Sequence, residues 1–308
     1  MEFPLVSVIM PAFQAQATVG EAIRSILAQD YPRWELLVTD DGSSDQTAAI
    51  VEDFAFKDAR IRLLRQSNGK QASARNHALR HATGSLIAFL DADDGWYPHK
   101  LPEQVAALAQ TGADAVFADA MVIKNGQEQG LMGSGRGWLE GMQGLQDMLL
   151  QNRIPILTVL IRKELIDRVG GFDETPGLQN AEDYHLWLRL LMAGCRFWGM
   201  ADCLGIYRVH EDNATAQPHH AFWPVCHALM QLWLEAPAEN KDMFAKALGG
   251  RLIEFLHQVP HTGLQAWHYG FEQLKQLPPS LLPPVARLSV QAALPPRLSR
   301  KLFSLCYG

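Results

Sequence analysis

Three carboxylates within four residues, Asp91, Asp93 and Asp94, close the apolar run Leu86-Ile87-Ala88-Phe89-Leu90. Branched and aromatic residues of this kind make a strand buried on both faces. If the extended backbone continues through Asp91 and Asp93, the two-residue strand period puts both carboxylates on one side, and Ala92 leaves room for close approach. Two hard oxygen donors at a strand's carboxyl end suit Mg2+ or Mn2+, which in turn would hold a diphosphate. The same residues also fit a solvated turn, because Asp and Gly favour turns and Gly95 follows at once.

A second acidic pair, Glu182-Asp183, precedes Tyr184-His185-Leu186-Trp187-Leu188-Arg189-Leu190-Leu191. This stretch reads as a helix capped by Asn180 with Asp183 at the third position, Trp187, Leu188 and Leu191 in its buried stripe, and Gly194 as its stop. An acid placed there is either a cap on the helix dipole or a proton acceptor. His210, taken alone, reads as a partly buried structural histidine.

Side chains so far apart in the chain need a scaffold that gathers them. Strands at 6–10, 35–39, 61–64 and 86–90 alternate with helices at 18–29, about 45–56, 71–81 and 100–110. That alternation predicts an α/β fold with a Rossmann-like, mostly parallel sheet and helices on both faces. Its βα loops open on one edge, where such sheets bind ligands, so Pro11-Ala12-Phe13 and Asp40-Asp41 are expected beside the acidic turn. Neither G-x-G-x-x-G after the first strand nor G-x-x-x-x-G-K-[ST] occurs, which leaves dinucleotide and P-loop binding unsupported.

The pattern changes after a strand at 116–123. Residues 124–144 contain seven glycines and read as a long mobile loop. Further strands are expected at 156–161, 195–200 and 204–209, and a short helix at 163–169. Helical segments follow at 221–234, 241–257 and 264–277, punctuated by Pro278-Pro279, Pro283-Pro284 and Pro295-Pro296. The domains expected are an α/β domain over 1–215, in two halves at about 1–123 and about 124–215, and a helical extension over 216–308.

A net charge of -6 in 308 residues gives no sign of nucleic-acid binding. The charge is uneven: residues 216–308 hold 8 basic and 5 acidic side chains, against 19 and 28 in 1–215. The four cysteines show no metal or C-x-x-C spacing and read as reduced thiols, which points to a cytoplasmic setting. No run of about 18 apolar residues occurs, and Met1 leads straight into a stretch of strand length. Residues 278–308 combine Arg287, Arg297, Arg300 and Lys301 with leucines and no acid. They fit a peripheral contact with the inner face of the cell membrane, or a helical cap on the catalytic domain or at a dimer contact.

Taken together, the residues resemble family 2 glycosyltransferases of the GT-A fold. The resemblance rests on Val6-Ser7-Val8-Ile9-Met10-Pro11-Ala12-Phe13, Thr39-Asp40-Asp41-Gly42-Ser43-Ser44-Asp45, Asn68-Gly69 with Ala74-Arg75-Asn76, and Gly84 with Phe89-Leu90-Asp91-Ala92-Asp93-Asp94. It continues through Gly170-Gly171-Phe172-Asp173, Glu182-Asp183 and Tyr207-Arg208-Val209-His210, in the family's order over residues 5–210. One departure is Gln14, where many members carry asparagine.

The resemblance implies an inverting, metal-dependent transfer from a nucleotide-sugar, with a lean toward UDP, to a hydroxyl on a glycan or lipid-linked acceptor, in cell-surface polysaccharide or lipopolysaccharide synthesis. It makes Asp41 the acceptor of the base's hydrogen bond beside Pro11, Ala12 and Phe13, and Arg75 the cation near the nucleotide and diphosphate. Asp91, with Ala92, would meet the ribose or a metal-bound water. Asp93 and His210 would hold Mn2+ or Mg2+. Asp183 matches the general base, with Glu182 as the alternative. The other readings are a non-catalytic sugar-nucleotide-binding or scaffold protein of the same fold, and a sugar-1-phosphate nucleotidyltransferase, whose glycine-rich N-terminal signature is missing.

Overall fold

The structure, a computed structural model, describes residues 3–210 and 218–258. They divide into two compact units, one of residues 3–174 with 182–210 and one of 175–181 with 218–258. The first unit is built on strands β1 (Val6–Ala12), β2 (Trp34–Asp40), β3 (Ile61–Arg65), β4 (Leu86–Phe89), β5 (Gly95–Trp96), β6 (Ala115–Lys124), β7 (Gln127–Leu131), β8 (Gly137–Leu139), β9 (Leu160–Arg162) and β10 (Phe197–Val209). Its helices are α1 (Val19–Leu27), α2 (Thr47–Lys57), α3 (Lys70–His81), α4 (Lys100–Thr111), α5 (Gly141–Leu150), α6 (Lys163–Arg168) and α7 (Glu182–Met192).

These strands form one sheet in the order β3-β2-β1-β4-β9-β6-β10-β5, with β7 added on β6 and β8 on β10. The β3-β2-β1-β4 half is parallel, and β9 then enters antiparallel on both sides. Every residue of β1 is buried, as a strand covered on both faces requires. Amphipathic α1 supplies part of that cover by burying Val19, Ala22, Ile23 and Ile26 along one face.

The strand beginnings are tied by hydrogen bonds. Glu35 Oε1 accepts from Ser7 Oγ at 2.6 Å and from Thr83 N and Oγ1 at 2.7 Å, and Ser7 Oγ accepts from Gly84 N at 2.8 Å. Gly84 can sit there only without a side chain, since a Cβ would lie 2.6 Å from Leu5 O and 2.8 Å from Ser7 N. We expect Gly84→Ala to lose about 1–3 kcal/mol through forced backbone movement, read as a lower melting temperature. An unchanged melt would contradict this packing account.

At the other end of β4, Phe89 sets its ring edge-on to Phe172 and Trp187, with centroids 5.5 and 6.2 Å away. Trp187 meets Phe197 in turn at 6.0 Å. Such pairs add about 0.5–1.5 kcal/mol each beyond area burial, and they hold α7 against the tip of β4.

Several expectations are corrected. Residues 124–144 are not a featureless loop: they contain β7, β8 and the start of α5. All five β7 residues are exposed, so no apolar alternation marks the strand, and glycines at positive φ (Gly126 at 74°, Gly133 at 79°, Gly137 at 82°) make the turns between the short pieces. The strand expected at 156–161 is a 3-10 turn, Ile156–Thr158, followed by β9. The two strands at 195–200 and 204–209 are one, β10, whose pairing with β6 is interrupted by register shifts around Cys203. Helix α7 begins at Glu182, and Asn180 adopts a left-handed φ of 72° ahead of it.

The second unit contains a 3-10 turn, Pro176–Leu178, and helices α8 (Pro218–Glu235) and α9 (Ala238–Gln258). Its buried side chains include Trp223, Leu229, Leu232, Phe244 and Leu248. The helix expected at 264–277 and the membrane-contact segment 278–308 lie outside the described residues. No described helix is long and apolar enough to cross a membrane.

Candidate active site

The parallel register puts the ends of β1, β2 and β4 side by side. Pro11 pairs with Thr39 and Ala12 with Asp40, so β1 runs two residues further than the sequence suggested before Phe13 emerges, half-exposed. Asp41 N donates to Ala12 O at 2.8 Å. Gln14 folds back on the next loop: its Oε1 accepts from Ser44 N at 3.1 Å and Asp45 N at 3.2 Å. The departure from asparagine at this position therefore clasps residues 43–45.

Asp41 is buried and already engaged. Its Oδ1 accepts from Gln66 Nε2 and Gly69 N at 2.8 Å, and its Oδ2 from Lys70 N at 2.9 Å. A carboxylate has about four lone-pair sites, so one remains for a further donor. Gln66 is itself oriented by His77, whose Nδ1 lies 3.0 Å from Gln66 Oε1. Neither Gln66 nor Lys70 was singled out from the sequence, because glutamine and lysine in a short loop carry no spacing signal.

Strand β4 ends at Phe89, and Asp91 to Asp94 form a turn closed by Asp94 N donating to Asp91 O at 3.1 Å. Of the two conformations the sequence allowed, the turn is the one adopted, and the carboxylates go to different partners. Asp91 Oδ1 accepts from Arg75 Nη2 at 2.8 Å. Asp93 Oδ2 lies 2.9 Å from His210 Nε2. Asp94 is buried and accepts from Arg208 N at 2.9 Å, which fixes the backbone two residues before His210. Strand β5 follows at once and pairs with Gly205 and Ile206, so the acidic turn and the strand leading to His210 are held as one piece.

Burial and neighbouring acids raise the proton affinity of Asp93 and Asp94. Burial and then the Asp91 charge push Asp93 up, against the opposing pull of His210. Asp94 is pushed well up by burial, then by Asp93 and Asp91. Among the described residues no three His, Cys, Asp or Glu side chains gather as a ready metal cage. Asp93 and His210 nevertheless fit a Mg2+ or Mn2+ that completes its shell with phosphate and water, and the acidic turn has negative charge to offset.

Arg75 joins the two acidic clusters. It projects from α3 with 2% of its side chain exposed, its Nη2 on Asp91 and its Nη1 on Glu182 Oε1 at 2.7 Å. The guanidinium expected near the nucleotide and diphosphate is buried, with Asp91 and Glu182 as its partners. Glu182 is also buried, and among the described residues its Oε2 and Arg75 Nε have no hydrogen-bond partner. Asp183, half-buried in the first turn of α7, accepts from Tyr184 N at 2.6 Å. Its carboxyl is pushed up to about 7 by burial and by Glu182, against the lowering influence of Arg75.

The sequence pattern of glycosyl transferase family 2 matches residues 7–166, about half of the chain. The chain belongs to glycosyl transferase family 2. This glycosyltransferase is 36% identical over 193 residues to the UDP-Glc:alpha-D-GlcNAc-diphosphoundecaprenol beta-1,3-glucosyltransferase WfgD of Escherichia coli, covering 62% of this chain and 71% of that one. It is 28% identical over 247 residues to the Escherichia coli enzyme WfaP, which carries the same description, covering 80% and 94%. In structure it is similar to S. aureus TarS 1-349 in complex with UDP-GlcNAc, with a TM-score of 0.72 and 20% identity over 97% of this chain and 90% of that one. That likeness shows the GT-A fold. The family match ends before Glu182 and Asp183, so the acids of α7 rest on geometry.

Proposed function

We propose that this family 2 glycosyltransferase moves a hexosyl unit from a UDP-linked sugar to a hydroxyl of a lipid-linked saccharide, with inversion, in cell-surface polysaccharide or lipopolysaccharide synthesis at the cytoplasmic face of the membrane. The observation that carries this reading is the Arg75 bridge, which sets the donor-side Asp91 and the first turn of α7 on one guanidinium. The activities that WfgD and WfaP are named for support the choice of a UDP-sugar donor and a diphosphate-linked lipid acceptor.

Each residue then has a task. The remaining lone pair of Asp41 accepts from an N–H of the base, beside the main chain at Pro11 to Phe13. Asp91, steadied by Arg75, receives the ribose, with Ala92 leaving space. Asp93 and His210 would hold Mn2+ or Mg2+, which when bound offsets charge building on the departing diphosphate. Asp183 takes the acceptor hydroxyl's proton as that oxygen bonds to the anomeric carbon and the bond to the diphosphate breaks on the opposite face. A carboxylate serves because the proton is released only as the new bond forms.

A panel of nucleotide-sugars scored for Mn2+-dependent hydrolysis tests the donor. With UDP as calorimetric probe, we expect Asp93→Ala to weaken Mn2+-dependent binding by about 100-fold or more, given that even indirect supports of a metal ligand are worth 10- to 100-fold. Mn2+-dependent affinity equal to wild type in that variant would remove Asp93 from the metal's shell.

A further inference from the structure

Glu182 and Asp183 are neighbours in sequence but differ in what they touch. Glu182 Oε1 lies 2.7 Å from Arg75 Nη1, with both side chains buried, whereas no described contact ties Asp183 to Arg75 directly. The same guanidinium spends its other terminal nitrogen on Asp91 at 2.8 Å. Arg75 thus spans from the tip of β4 to the first turn of α7, and its flat, fixed fork cannot hold one carboxylate in place without aiming at the other. The ring of Phe172 packs under this fork, 5.5 Å from the guanidinium carbon. Asn76, the next residue of α3, fastens the same segment: it donates to Phe172 O at 2.8 Å and accepts from Phe172 N at 2.9 Å.

We infer that Glu182 is a positioning residue, which through Arg75 ties the proton acceptor Asp183 to the donor-side Asp91. The inference rests on the reading of Asp183 as the base and assigns Glu182 a role other than that of alternative base. Buried ion pairs are weak sources of stability, since apolar groups of similar volume often replace them without loss. A buried Arg between two acids that face the proposed chemistry is better explained by what it aligns. The buried, unpartnered Oε2 of Glu182 adds to this: the side chain is held by one oxygen only, and its negative charge stays close to Asp183. The charged groups facing Asp183 are Glu182 on its own helix, Arg75 from α3 and Asp91 from the tip of β4.

The test follows the Asp183 carboxyl itself by 13C NMR titration of the full chain, with UDP and Mn2+ binding as the check that the donor side is intact. Glu182→Gln keeps the reach to Arg75 and removes the charge, so the Asp183 midpoint is expected to fall by roughly one pH unit, with UDP affinity held within about threefold. Should that variant fail to fold, Arg75→Met/Glu182→Met replaces the pair by apolar groups, and the midpoint is again expected to fall, by less, because a lowering charge leaves with the raising one. An Asp183 midpoint unchanged in the variant that folds overturns the inference. Failure of the parent reading looks different: the Glu182→Gln midpoint shifts as expected, while a chain lacking the Asp183 carboxylate still transfers sugar.

Discussion

Asp183→Asn is expected to lower transfer by about a thousandfold, within the 10²–10⁴ that a positioned general base contributes, while binding UDP in Mn2+ with unchanged affinity. The pH dependence sharpens the expectation. Only the ionised carboxylate accepts a proton, and burial with the Glu182 charge pushes Asp183 up to about 7, so the wild-type rate should rise with pH through about 7 and then level off. That limb should be missing from the residual rate of the Asn variant. Stability moves the opposite way. A carboxyl held higher in the folded chain than in the unfolded one costs nothing below about pH 4, and its penalty builds as pH rises toward about 7 and then levels off. Asp183→Asn should therefore melt with wild type at pH 4 and above it at pH 8, by roughly 2–4 °C per kcal/mol relieved. Full transfer activity in this variant would take the base away from Asp183.

Arg75→Met should be the most destabilising single change in the site. It leaves the buried Glu182 carboxylate without the cation that neutralises it and removes the partner of Asp91. Breaking one side of a buried ion pair costs about 3–5 kcal/mol, which a thermal melt would register as a fall of about 10 °C. Adding Glu182→Met should recover most of that loss, because the stranded charge goes too, while transfer stays low. Recovery of both stability and transfer in the double variant would reduce the Arg75 bridge to space filling.

What could be read from the residues alone follows physical range. The apolar runs of β1, β2 and β4 and the acids that end them are local patterns, so both the parallel half of the sheet and the edge that gathers the chemistry were legible. Strand β5 has two residues and β7 has no buried face, so neither offers a period to detect. The stretch Asp91 to Asp94 stayed open between extended backbone and turn because acids after a buried strand are compatible with both, and the pairing that holds it, Asp94 with Arg208, lies 114 residues on. The Arg75 to Glu182 contact spans 107 residues, beyond any spacing rule. The engagement of Asp41 by residues 25 to 29 positions later was invisible for the same reason.

The hydrogen bonds around Glu35 join the beginnings of β1, β2 and β4, while Phe13, Asp41 and Asp91 follow the ends of those same strands. Each strand spans the distance between a fastening and a tool. Substitutions at one extremity leave the fastening at the other intact, so the loops that follow these strands can vary without drawing on the hydrogen bonds that hold the strands together.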